Sequence, residues 1–419
     1  MDYKVIVAHP ERQHSFRVAS ALKNNGMLCK YITTVYNKEN SFLMKLIKAF
    51  VSKDNKKRVD GRTNQDLQDD DVLQFCEIRG LIQVALYRFD KSKVVYNWWH
   101  KMTSRAFGKK VARYAMKNNV DAVILYDSNA MTCFRILKEK APHIKRIMDV
   151  SAANRLYMKE IYEADMENCK SFAEKLKSER NFLWRSNYCE LLKRELEYTE
   201  WFIPPSSFVK KSLMFSGIKE EQIRLCPYGT NFSADSITLD ENKKRQLPLK
   251  AVYVGNVTEM KGIYYLLEAV SEIPKDLLEL TMVGHYDNST GVLDKYLDRV
   301  NFTGRVVHDR VQEILLESDV FVFPSLGEGM SLSVLEAMAC GLPCVVTENS
   351  GVSEVIHEGK NGFEIEAQNK EAIKEKLQWF INNPEKITEM GLYSSEVVKK
   401  YTWENHEERL ISILNDILQ

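Results

Sequence analysis

No C-x-x-C pair occurs anywhere in the 419 residues. The eight cysteines stand apart, several of them inside apolar runs, so neither a zinc site nor a disulfide framework is expected. They read as reduced core thiols of a cytosolic protein. No apolar run approaches the ~20 residues that span a bilayer. The opening MDYKVIVAHP reads as a strand and not as a signal peptide, so a soluble or peripheral cytoplasmic protein is expected. Solenoid repeats and low-complexity tracts are missing too. A hydrophobic share of 44% with 28% charged residues excludes disorder. The length calls for two large domains or three small ones.

Net charge is also scarce. Lys+Arg number 59 and Asp+Glu 58, giving +1. That argues against a basic nucleic-acid binder, and no nucleic-acid recognition module is visible. The balance hides an asymmetry, however. Residues 1–205 hold 37 basic and 25 acidic residues, or +12, which leaves 22 and 33, or −11, for residues 206–419. A basic half joined to an acidic one suggests that the first half faces something anionic.

What is present is alternation. Short apolar runs at Lys4–Ala8, Cys29–Val35, Ala122–Tyr126, Arg146–Val150 and Trp201–Pro204 read as strands, with helical periodicity between them. Ser15–Asn25 reads as a helix closed by Gly26 and N-capped by Ser15, and a long helical stretch covers about 159–200. A second series follows at Ala251–Val254, Glu279–Val283, Val300–Phe302, Val320–Phe323 and Cys344–Thr347. Repeated strand and helix imply α/β architecture, with two doubly wound parallel sheets. Ligands bind such sheets at the carboxyl ends of their strands, and a cleft between two of them is the default active site. The expected boundaries are 1–205, 206–400 and a terminal segment 401–419, with the polar stretch Ser233–Gln246 as the linker candidate.

The chemistry concentrates in Phe321–Val346. A strand ends at Phe323, Pro324 to Gly329 forms a loop, and Ser333–Cys340 forms a helix stopped by Gly341 and Pro343. A small-residue loop feeding a helix start offers unpaired N–H groups and a positive dipole end, which suit a phosphate. Glu328 in the loop and Glu336 on the helix would repel that anion if they faced it. They make sense as acceptors for neutral hydroxyls, such as a sugar and a ribose diol. Two plainer readings stand beside this one. Ser333 to Glu336 forms a capping-box pattern, and Glu328 is a loop acid near a helix start.

This stretch resembles the signature of family 4 retaining glycosyltransferases, which have the two-domain GT-B fold. Glu328 and Glu336, seven residues between them, and the run Ala337-Met338-Ala339-Cys340-Gly341-Leu342-Pro343 carry the likeness. The resemblance implies that Glu336 holds the nucleotide ribose and that Glu328 contacts the donor sugar's hydroxyls. The backbone of Gly329, Met330, Ser331 and Leu332 would line sugar and diphosphate. Gly255-Asn256 and Lys261-Gly262 resemble the family's Gly-Arg and Lys-Gly pair, whose cations hold the diphosphate, with Asn256 in place of the usual Arg. Gly304-Arg305-Val306 resembles the segment that reads the nucleobase. The likeness covers residues 200–419 well and the first half only in outline.

The first half departs most. Its first turn, His9 to Ser15, has no glycine and places Arg12 and His14 where acceptor or leaving-group contacts are expected. Asp149 stands where the family often has a histidine near the donor sugar. The combined reading is a retaining transferase that moves a sugar from a nucleotide-diphosphate donor, UDP-sugar favoured, to a saccharide or lipid-linked acceptor. Glu328, Lys261, Asp149 and His14 are its expected catalytic residues. No metal or other cofactor is expected. Asp69-Asp70-Asp71 formally matches an Asp-x-Asp metal motif but reads as acids opening a helical run. A hydrolase or epimerase of the same fold, or a non-catalytic subunit, stays open. Residues 41–62 carry seven basic side chains, and 91–117 carry eight with interleaved aromatics. They read either as an anionic membrane surface or as solvated faces with aromatics in the core.

Overall fold

The computed structural model describes residues 3–11, 14–38, 62–90, 92–184, 188–236 and 246–419. The first sheet holds β1 (Val5–Ala8), β2 (Leu28–Thr33), β3 (Val72–Gln74), β4 (Ala122–Tyr126), β5 (Lys145–Asp149) and β6 (Trp201–Ile203). Its spatial order is β3-β2-β1-β4-β5-β6, and every pairing is parallel. The second holds β7 (Leu249–Val254), β8 (Leu278–Val283), β9 (Val300–Gly304), β10 (Val320–Phe323), β11 (Cys344–Thr347) and β12 (Gly362–Ile365). It repeats the same winding as β12-β11-β10-β7-β8-β9, again all parallel. The central strands VIVA, AVILY, VFVF and CVVT are buried along their whole length. Continuous apolar runs are what a sheet covered on both faces requires.

Fourteen helices connect and cover the sheets among the described residues. In the first half they are α1 (Ser15–Asn24), α2 (Glu77–Phe89), α3 (Val94–Lys117), α4 (Met131–Lys140), α5 (Arg155–Asn168), α6 (Lys170–Glu179) and α7 (Tyr188–Tyr198). After β6 come α8 (Ser207–Phe215), α9 (Ile263–Ser271), α10 (His308–Glu317), α11 (Leu332–Ala339), α12 (Lys370–Asn382), α13 (Pro384–Val398) and α14 (Trp403–Leu418). The apolar side of α14, with Leu410, Leu414 and Ile417, packs into the cluster of Val5, Phe16 and Val18. The end of the chain thus returns to the first sheet. The expected long helix over 159–200 is three helices. Ser15 does not cap α1: its hydroxyl meets the Tyr31 hydroxyl at 3.0 Å, and His14 occupies the cap position. Residues 41–61 of the first basic stretch lie outside the described residues, as does Arg12. None of the helices searched is long and apolar enough to cross a membrane.

Asp71 accounts for part of the acidic run: it pairs with Lys23 at 2.6 Å and accepts the Gln68 N–H at 2.8 Å. A second acid has a more demanding place. Glu195 of α7 is buried, and its carboxylate accepts the N–H groups of Ser128, Ala130 and Met131 at 2.7, 2.8 and 3.0 Å. It therefore closes the start of α4, where orphan amides need acceptors. Burial pushes its pKa up to about 7, against the amides and with help from Asp127. The fold thus favours the protonated acid. Native protein holds more protons than unfolded chain between pH 4.5 and about 7, so stability falls as pH rises through that window. The expected slope is about 1.4 kcal/mol per pH unit at most. Glu195→Gln should lack it, and urea titrations of both proteins across the window check this.

Candidate active site

Both sheets reverse their strand order at one point, between β1 and β4 and between β7 and β10. A crevice opens outside the carboxyl ends of the strands at such points. The loops leaving those strands carry most of the expected residues. His14 follows β1, Lys261 follows β7 and Glu328 follows β10, while Asp149 ends β5 beside them.

The two crevices meet through glycine. A Cβ on Gly329 would lie 1.9 Å from the Ser151 carbonyl oxygen, so only glycine lets these backbones touch. The Ser206 hydroxyl, at the crossover between the sheets, donates to the Gly329 carbonyl at 2.5 Å and accepts the Val209 N–H that opens α8. Behind this contact the Tyr265 hydroxyl of α9 donates to Asp165 of α5 at 2.7 Å. Burial pushes Asp165 up to about 6, and burial together with the like charge of Asp165 raises Glu259.

On the side of the second sheet, Lys261 ends a short 3-10 turn, Glu259–Lys261, and Gly262 is in the left-handed region at φ 64° before α9 starts. A Cβ on Gly262 would meet the Pro324 carbonyl oxygen at 2.0 Å, so this turn lies directly on the β10 loop. Lys261 and Glu328 form an ion pair there, both largely buried. The same Glu328 oxygen accepts the Ser325 hydroxyl at 2.8 Å. The Glu328 N–H donates to the Asn349 carbonyl at 2.8 Å and the Ser331 N–H to that of Ser350 at 3.1 Å. The Ser331 amide is thus engaged inside the loop, and the next amide, Leu332, opens α11. Met330 is buried and its sulfur accepts the Tyr228 N–H at 3.3 Å. Asn256 is exposed, and its carbonyl accepts the Tyr253 hydroxyl at 2.8 Å. Gly255 ends the β7 ridge, while Gly304, Arg305 and Val306 leave β9 at the same end of the sheet.

Glu336 does not cap its own helix. Its carboxylate accepts the Asn231 side-chain amide at 3.0 Å, and the Asn231 carbonyl oxygen accepts the Trp403 indole N–H at 3.1 Å. Burial raises the Glu336 pKa, with Asn231 and His308 acting in the opposite direction. Across the crevice, His14 Nε2 lies 2.9 Å from Asp149 Oδ2 and 3.5 Å from the Tyr228 hydroxyl. Burial disfavours the imidazolium, but the charge and hydrogen bond of Asp149 hold the His14 pKa above its ordinary value. Asp149 therefore comes with a histidine, supplied from the β1 turn.

Residues 248–383 match the family model described as glycosyl transferases group 1. That range covers the second sheet from just before β7 to the end of α12. An uncharacterized glycosyltransferase of Methanocaldococcus jannaschii is 29% identical over 157 residues, covering 36% of this chain and 44% of the relative. The sulfoquinovosyl transferase of Arabidopsis thaliana is 28% identical over 211 residues, covering 48% and 41%. The chain spans about half the length of the curated relatives it matches. Among solved structures, sucrose-phosphate synthase from Thermosynechococcus elongatus superposes with a TM-score of 0.65 at 17% identity over 99% of both chains. The Anabaena protein HepE in complex with UDP gives 0.62 at 12% identity over 99% of this chain and 100% of that one. The architecture is GT-B, as the sequence resemblance implied.

The matched range depends on residues outside it. Tyr228, Asn231 and Trp403 lie outside the matched range, yet Asn231 holds Glu336 and Tyr228 touches both Met330 and His14. The Pro227-Tyr228-Gly229 run was the available signal, but nothing in it names these partners. Asn231→Ala would leave the buried Glu336 carboxylate without this donor. The expected cost is about 1–3 kcal/mol of stability. Asn231→Asp, which keeps the size of the side chain but replaces the amide donor to Glu336 by a carboxylate, should cost at least as much, and urea titration of the two variants compares them.

Proposed function

We propose that the protein is a retaining glycosyltransferase. It moves a sugar from a nucleotide-diphosphate donor, UDP-sugar favoured, to a saccharide or lipid-linked acceptor in surface polysaccharide or glycolipid assembly. It works in the cytoplasm, at the inner face of the membrane. The observation that carries this reading is the convergence of Lys261, Glu328 and the start of α11 at one end of the second sheet, with Glu336 on the same helix.

In this reading the donor diphosphate takes Lys261 from Glu328 and lies against the amides that open α11. Those groups stabilise the leaving charge in a site already oriented for it, and no metal is assigned to the step. Glu328, released from Lys261, accepts hydrogen bonds from sugar hydroxyls, and Glu336 accepts those of the ribose. The bond from the anomeric carbon to the diphosphate oxygen breaks. The bond to the acceptor oxygen forms on the same face, and the acceptor's proton passes to the departing phosphate. His14, held by Asp149, faces this region from the first sheet and is assigned the acceptor or leaving group. The position of Asn256 supplies no charge, so Lys261 carries the cationic share.

Purified protein incubated with a panel of UDP-sugars and a polyprenyl-linked saccharide should form a glycosylated product with release of UDP. Glu328→Ala should lower the rate by about 100-fold or more while UDP still binds. Free sugar released equally with and without acceptor would assign hydrolysis instead. Absence of turnover with every nucleotide sugar would overturn the reading.

A further inference from the structure

Large apolar side chains left open to solvent gather on one element. Of the fifteen exposed ones among the described residues, eight fall within residues 78–102, on the hairpin of α2 and α3. Ile78, Ile82 and Phe89 recur at i, i+4 and i+11, on one side of α2, with exposures of 69%, 38% and 81%. Val94, Trp98 and Met102 recur at i, i+4 and i+8 along one side of α3, at 62%, 59% and 41%. The two stripes adjoin. The Trp99 indole donates to the Arg79 carbonyl at 2.9 Å, and the Arg79 guanidinium donates to the Met102 carbonyl at 3.4 Å.

This surface does not serve the core. Residues Thr103, Phe107, Val111 and Ala115 bury the opposite side of α3 in the first domain. Further along the open stripe, Arg105 and Lys109 continue the i+7 and i+11 positions from Trp98 and are exposed. Residues 77–117 contain ten Lys and Arg against Glu77 and Asp90 alone. An apolar tip with a basic shank suits a layer that is apolar within and anionic at its edge. A second copy of this chain would set the same basic surface against itself in a two-fold dimer, which like charges oppose.

The root of the hairpin reaches the crevice. Glu11, in the turn after β1, accepts hydrogen bonds from Gln83 of α2 and from the Tyr96 hydroxyl of α3, the latter at 3.2 Å. The His100 ring lies 3.6 Å from the same carboxylate and 2.9 Å from Gln83. Three residues later in the sequence stands His14, paired with Asp149.

We propose that the α2–α3 hairpin is a docking surface for an anionic lipid bilayer. Phe89 and Trp98 enter the boundary between headgroups and acyl chains, Arg105 and Lys109 meet the headgroups, and Glu11 ties the docked hairpin to the crevice turn. The purpose of docking rests on the lipid-linked acceptor proposed above, but docking itself is measured without turnover.

The purified 419-residue protein is sedimented with vesicles of phosphatidylcholine alone or mixed with phosphatidylglycerol. Binding is expected for the anionic vesicles, with loss at about 1 M salt, where screening shortens to about 3 Å. The double variant Phe89→Ser/Trp98→Ser should partition about tenfold less. Arg105→Gln/Lys109→Gln should lose the preference for anionic lipid. UDP affinity and circular dichroism report that each variant is folded. Equal binding to both vesicles, or none, overturns the proposal. So does a wild-type dimer in sedimentation that the Phe89/Trp98 variant disperses. Turnover of a water-soluble acceptor, measured separately, tests the transferase reading without vesicles, so either result can fail alone.

Discussion

The contact of the Gly329 backbone with the Ser151 carbonyl is the constraint on which the site depends. It needs a residue without a Cβ in the β10 loop, and a hinge hydroxyl, Ser206, holding the other side of the same peptide. Glu328 precedes that glycine by one residue and Asp149 precedes Ser151 by two. One close approach therefore sets the spacing between the groups of the second sheet and those of the first. A bulkier loop would separate two halves that are each complete as sheets but incomplete as a site.

Charge is divided along the same line. The second half is acidic overall, and the Lys261–Glu328 pair in its crevice is internally balanced. The first half is basic, and the described part of its excess lies largely on α3, away from the strands. An anion approaching the crevice thus meets a local arrangement that includes Lys261 and the amides of a helix start. A lipid surface approaching α2 and α3 meets a broad field. Near-zero net charge is the sum of these separate arrangements.

Most strands could be read from the chain because burial on both faces forces continuous apolar runs. Val72–Gln74 and Gly362–Ile365 could not, since VLQ and GFEI each carry a polar residue and are only partly buried. The loop and helix of Ser325–Ala339 were legible because their glycines and acids are local in sequence. The partners of those acids were not. Asn231 reaches Glu336 across 105 positions, and His14 reaches Asp149 across 135. The capping pattern at Ser333 was a sound local expectation, and a tertiary amide displaced it. In the mixed aromatic stretch 91–117, Phe107 is core and Trp98 is open.

The Lys261–Glu328 pair has a further consequence under the proposed function. A nucleotide sugar offers both partners a replacement at once, phosphate for the lysine and hydroxyls for the carboxylate. The nucleoside diphosphate left after transfer satisfies only the lysine and strands a partly buried carboxylate beside an anion. Re-forming the internal pair competes directly with that product. Under that function the resting ion pair would act as an ejector, favouring the intact donor over its own spent form and returning the crevice to its starting state after each turnover.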